Sequence, residues 1–154
     1  MDVHIFIFPE TKVAAVEHYG SPALEHDSVQ KLVAWKIERK LFNPLKHRNY
    51  GVHYTDSRSA SPSDHHVDFC VSIDAEVEPN SFGIVNKVIP RNRCAFARDI
   101  GFRHNNKAAL YLYENWLPQS GEIVGNFPIF FHYVNVGPGV KRDEMITDVY
   151  LPLL

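Results

Sequence analysis

The chain has 154 residues, a formal net charge of −2, 45% apolar and 22% charged side chains; this is enough for one compact domain burying roughly 70% of its unfolded surface. That balance leaves no electrostatic footprint for nucleic acid, so no direct DNA binding is expected, and the basic clusters Lys46-His47-Arg48 and Arg91 to Arg93 read as solvated loops. No apolar run reaches the roughly 18 residues that a membrane span needs, and no membrane partner is expected.

In chain order, VHIFIF (Val3 to Phe8) alternates like a strand and stops at Pro9. Val13 to Gly20 reads as a second extended segment, ending where Gly20 can take an unusual backbone angle. Ser21 with Pro22 can open a helix, Asp27 being a rival cap. From Asp27 to Leu41 the apolar positions Val29, Leu32, Val33 and Ile37 recur at helical spacing, and Pro44 bars continuation. GVHYTD (Gly51 to Asp56) reads as a strand, Ser57 to His66 as a polar loop, and HVDFCVSI (His66 to Ile73) as a strand.

The second half follows the same plan. Ile89 to Gly101 is the counterpart of the segment ending at Gly20, and Asn106 to Leu117 is helical, stopped by Pro118 and Gly121. The aromatic strand PIFFHYVN (Pro128 to Asn135) puts Phe131 and Tyr133 on one face and Phe130 and His132 on the other. After the loop Val136 to Met145 the chain closes on the strand TDVYLPLL. Tyr133 falls over Tyr54, Asp148 over Asp68 and Gly101 over Gly20 at offsets of 79 to 81 residues. Three anchors in the same order predict two copies of a strand–helix–strand–strand unit, about 1–80 and 81–154, within one domain. The fold class expected is α+β, an antiparallel sheet with both helices on one face and a cleft at the seam.

Cys70 and Cys94 have no metal-ligand spacing and read as buried, reduced thiols of a cytoplasmic protein. The nine histidines form no H-x3-H or knuckle pattern, so neither a metal nor a cofactor is expected, and no nucleophile motif such as G-x-S-x-G occurs.

YGVHYTDSRSASPSDHHVDFCVSI, IPRNRCAFARDIGF, YENWLPQSGEIV and MITDVYLPL together resemble the GyrI-like small-molecule-binding family. That family includes effector-sensing domains of AraC-type and MerR-type multidrug regulators and the DNA gyrase inhibitor. The resemblance implies two β-α-β-β repeats around a hydrophobic central pocket that takes bulky, apolar, often cationic compounds. Phe131 and Tyr133 would line that pocket, with Tyr54 as the repeat-related partner of Tyr133. Trp116, Tyr113 and Trp35 lie on the apolar sides of the helices, and Glu17 or Glu114 would supply charge to a cationic guest. The family's second-half strand usually carries a pocket glutamate, and Phe131 stands at that place here. Phenylalanine cannot act as a base, so binding is favoured over hydrolysis of electrophilic compounds. The chain begins directly at its first strand with no helix-turn-helix ahead of it, as a sensing module lacking a DNA reader would. A protein-interaction role of the gyrase-inhibitor type, docking to a regulator or topoisomerase, is the alternative.

Overall fold

The computed structural model describes residues 1–56 and 60–154. Its strands are β1 (Val3–Phe8), β2 (Thr11–Tyr19), β3 (Asn49–His53), β4 (His66–Ser72), β5 (Ile84–Ile89), β6 (Asn92–Ile100), β7 (Phe130–Tyr133) and β8 (Ile146–Pro152). The helices are α1 (Glu25–Arg39), α2 (Ala108–Tyr111) and α3 (Leu117–Ser120). The class is α+β, as expected. The predicted loop Ser57 to His66 lies partly outside the described residues, and its described part holds a 3-10 turn, Pro62–Asp64.

The chain forms two compact units: a discontinuous one, Met1–Glu10 with Pro90–Leu154, and a central one, Thr11–Ile89. The discontinuous unit has the antiparallel strand order β1-β6-β8-β7, and the central unit has β3-β4-β2-β5. The segment read as Ile89 to Gly101 is strand β6, and β5, which ends at Ile89 and belongs to the central unit, is a strand the sequence reading does not anticipate. Likewise β1 pairs with β6 although β2 follows it in sequence. Each crossing carries a proline, Pro9 after β1 and Pro90 after β5. A proline cannot donate to the next rung of a ladder, so it ends the strand where the chain passes from one unit to the other.

In the central unit, α1 packs on one face of the sheet. Leu32 and Trp35 meet Ala14, Val16, Val67, Phe69, Val71 and Ile84 there. The helix begins as the sequence suggests. The Ser21 hydroxyl oxygen accepts from the Ala23 amide at 3.2 Å, and Pro22 opens a 3-10 turn that leads into α1. Asp27 lies inside the first helical turn beside Glu25, where acids complement the helix dipole. The helix stops at Arg39, short of Leu41, because Lys40 turns left-handed with φ 56° and its amide bonds back to Ile37.

In the discontinuous unit, Ala108 and Leu112 pack on Ala95, Ala97, Val149, Leu151 and Leu153. The second helical region does not stop at Pro118 but passes through it to Ser120, and Gly121 ends it with φ 74°. Between α2 and α3 the residues Leu112–Trp116 make a π-turn, in which the Leu117 amide bonds to the Leu112 carbonyl. The wider turn adds one residue just before a proline that lacks an amide proton. Leu112 follows Leu32 by 80 residues but Trp116 follows Trp35 by 81.

One close approach fixes the loop after Gly121. A Cβ added at Gly125 would stand 2.9 Å from the backbone carbon and oxygen of Leu153. Backbone cannot yield as a flexible side chain does, so Gly125→Ala is expected to cost about 2 kcal/mol in urea unfolding. An unchanged midpoint would show that this contact relaxes freely.

Candidate functional site

The two faces of β7 differ in kind, and the register shows why. Phe131 pairs with Val149 and Tyr133 with Thr147, while Phe130 pairs with Tyr150 and His132 with Asp148. Val149 belongs to the core under the helical region, so Phe131 and Tyr133 share the helix side. Both are half-buried, and Phe131 packs on that core. Phe130 is fully buried on the opposite side, stacked on Tyr150 at 5.1 Å and edge-on to Phe8 at 4.8 Å. The alternation read from the sequence holds here.

The pairing of Tyr54 with Tyr133 does not hold. Val52 pairs with Asp68 as His132 pairs with Asp148, and the amides of Tyr54 and Val134 bond to the carbonyls of His66 and Ile146. Counted along the two ladders, Tyr133 takes the register position of His53, and Tyr54 that of Val134. A slip of one residue moves a side chain to the other face of a strand. Tyr54 accordingly lies away from α1, 40% exposed, and stacks flat on His66 with ring centres 4.3 Å apart.

The other predicted residues divide in the same way. Trp35 is buried against the sheet, 4% exposed, and its indole N–H has no hydrogen-bond partner among the described residues. Trp116 is half-buried against the core of the discontinuous unit. Tyr113 is 37% exposed, Tyr111 is half-buried and Leu112 is fully buried on the core side of the turn. Glu114 lies on the exposed side of the same turn. Each half therefore offers one tryptophan on the helix side, and only the discontinuous unit offers Phe131 and Tyr133 there.

Glu17 belongs to a charged cluster on the face of the central sheet opposite α1. Its carboxylate receives Lys87 Nζ at 2.8 Å, and the same ammonium reaches Asp68 Oδ2 at 2.7 Å. His66 Nε2 meets Asp68 Oδ1 at 3.0 Å. The hydrogen bond from Lys87 holds the Glu17 carboxyl below its ordinary range. Burial opposes the charge on Lys87, but the bonds to Asp68 and Glu17 outweigh it and hold the ammonium above the usual lysine range. Burial, followed by the Asp68 charge, pushes the Tyr54 hydroxyl up to about 12. In the other unit Asp148 is clamped by the Arg98 guanidinium at 2.7 and 3.0 Å. Both aspartates, flagged by their matched positions, are thus spoken for by the protein's own cations.

Sequence reasoning missed the cations that lie over the candidate rings. Arg39 stands 6.0 Å from the Trp35 ring centre, Lys87 5.7 Å from Tyr54 and Arg103 5.4 Å from Tyr133. Arg103 is fixed by bonds to the Asn135 and Ile146 carbonyls and to the Thr147 hydroxyl. On the helix side two carboxylates are also engaged. Glu25 meets His65 Nε2 at 2.6 Å, and Asp99 accepts from the Lys107 amide at 3.3 Å. Cys70 and Cys94 are free and buried, and burial raises both thiols, that of Cys94 to about 12. No helix among the described residues is long and apolar enough to cross a membrane.

The model of the GyrI-like small molecule binding domain matches residues 1–154. The chain belongs to the GyrI-like family. It is 34% identical over 154 residues to the probable transcriptional regulator YgiV of Escherichia coli (strain K12), covering 99% of this chain and 96% of that one. Among solved structures it is similar to the EcmrR C-terminal domain, with TM-score 0.77, 14% identity, and 99% and 97% of the two chains covered. It is also similar to SAV2435 bound to tetraphenylphosphonium, with TM-score 0.56, 9% identity, and 100% and 94% covered. The GyrI-like assignment brings small-molecule binding and kinship with regulator effector domains.

Proposed function

We propose that this GyrI-like chain is an effector-binding module for hydrophobic, aromatic small molecules, delocalised cations among them, held by ring faces on the helix side of its sheets. The observation that carries this reading is the outer half of β7, where Phe131 and Tyr133 alternate onto the helix side and stay half-buried. Trp116 packs against the same core.

Charge recognition would work differently here from a pocket built on a glutamate. Phe131 stands at that place, Glu25 and Asp99 are engaged at helix starts, and Glu17 is bound to Lys87 on the opposite face. A cationic guest would therefore be held chiefly by cation–π contacts, each contributing roughly 0.5–2 kcal/mol, with Glu114 the remaining acid that could add charge. Broad, flat ions suit this better than compact ones, because Arg39 and Arg103 already lie over Trp35 and Tyr133. The kinship with SAV2435 bound to tetraphenylphosphonium points the same way.

The test is a pair of titrations with rhodamine 6G, one on the parent chain and one on Phe131→Glu. The variant is expected to bind the dye cation about tenfold more tightly, a gain of about 1.4 kcal/mol. Equal or weaker binding would place the guest away from β7. Hydrolysis of an electrophilic ester by the variant alone would show that chemistry, and not only charge, depends on this position.

A further inference from the structure

A second site lies on the other side of the central sheet, and it does not depend on the small-molecule reading. Antiparallel pairing sets Glu17 of β2 opposite Asp68 of β4 and Tyr19 opposite His66. His66 and Asp68 are two residues apart on one strand and so point to the same face. As a result one oxygen of Glu17, one of Asp68 and one nitrogen of His66 lie within 4.8 Å of one another. The sequence hides this group, because its ligands are split between strands and only the His-x-Asp of β4 is local.

We propose that Glu17, His66 and Asp68 form a site for a divalent metal ion of the zinc class, and that Lys87 is the cation such an ion displaces. One imidazole and two carboxylates are a nitrogen–oxygen donor set suited to that ion, leaving a fourth position for water. The donors are held before any ion arrives. The His66 ring is sandwiched between Tyr19 and Tyr54, with centres 4.2 and 4.3 Å away and planes 19° and 7° from parallel. That stack directs Nε2 at Asp68 Oδ1, 3.0 Å away. The Tyr19 hydroxyl reaches Glu17 Oε2 at 3.4 Å, an outer contact of the kind that orients metal ligands. Asp68 is 1% exposed, yet its carboxylate and that of Glu17 converge on a single positive charge, the Lys87 ammonium. The two acids outnumber this lysine, whose side chain is 27% exposed and comes from β5, the last strand in the central unit's order. It can swing into water and leave the place to a doubly charged ion.

The matching strands of the other unit lack this set. Arg98 stands where Glu17 does and Ile146 where His66 does, and the Arg98 fork closes on Asp148. The donor group is therefore particular to β2 and β4.

The experiment adds Zn2+ alone to the full, chelator-treated chain, with affinity read by competition against a chromophoric chelator and geometry by the visible absorption of Co2+. One ion per chain is expected. Lys87→Met should tighten binding by about tenfold, and His66→Phe, which keeps the ring stack, should weaken it by about tenfold or more, as should Glu17→Gln. Thermal unfolding of each variant without metal checks that it is folded. The proposal fails if the parent chain takes up no ion, or if His66→Phe and Glu17→Gln bind as tightly as the parent, which would place the ion on another of the nine histidines. It fails equally if removing Lys87 leaves the affinity unchanged.

Discussion

Replacing Phe130 by alanine is expected to destabilise the protein by about 4 kcal/mol while leaving dye binding within twofold of the parent value. The size follows from its surroundings. Phe130 is 0% exposed and lies among Phe8, Phe127 and Tyr150, with ring centres 4.8, 6.0 and 5.1 Å away. Three aromatic neighbours on strands and a flanking loop cannot collapse far into the void, so the cavity term adds to the lost transfer energy. The selectivity follows from the face. Phe130 is opposite Phe131 and Tyr133 on β7, so its removal should loosen the core without touching the proposed binding side. Urea unfolding and a rhodamine titration on the same sample measure both halves. A loss below about 1 kcal/mol would contradict the packing, and a lost dye site would contradict the division of faces.

The second large effect is on acid stability, through His53. Burial pulls its imidazole down to about 4, with the Glu25 charge raising it and His65 lowering it further. The folded protein thus keeps His53 neutral where the unfolded chain, with an ordinary value near 6.5, takes up a proton. Above about pH 6.5 neither state binds that proton and the contribution is complete. As pH falls towards 4 the unfolded state gains it first, so stability drops at about 1.4 kcal/mol per unit, roughly 3 kcal/mol in all. Urea unfolding at pH 7.5 and 4.5 on the parent and on His53→Gln isolates the term. The variant should lose markedly less between the two pH values. Equal losses would mean that His53 does not carry the dependence.

The strands of this chain were legible where sheet faces impose a period of two, as in β4, where Val67, Phe69 and Val71 join the core under α1, and in β7, where Phe131 turns to the helix side and Phe130 away from it. The class and the family followed from that pattern and from motifs spread over the whole chain. What escaped was pairing between distant segments. Nothing local in VHIFIF says that it joins β6 and not β2, and β5 is hidden by its continuity with the segment that follows Ile89. Tyr54 shows the finer limit. An offset wrong by one residue preserves every sequence match within the aligned pair but turns the side chain to the opposite face. Tyr113 is 37% exposed, and the π-turn beginning at Leu112 departs from the plain helical period the sequence suggests. Charges were the least legible part. Glu17 was expected to serve a guest, but Lys87, 70 positions away, reaches it across the β2–β5 ladder.

Ring-face binding on the helix side is tested most directly by following Trp35 and Trp116 fluorescence while rhodamine 6G is titrated into the parent chain. Saturable quenching in the micromolar range, weakened when Tyr133 is changed to alanine, is the result expected. A flat response up to high micromolar dye, with the protein folded throughout, would contradict it.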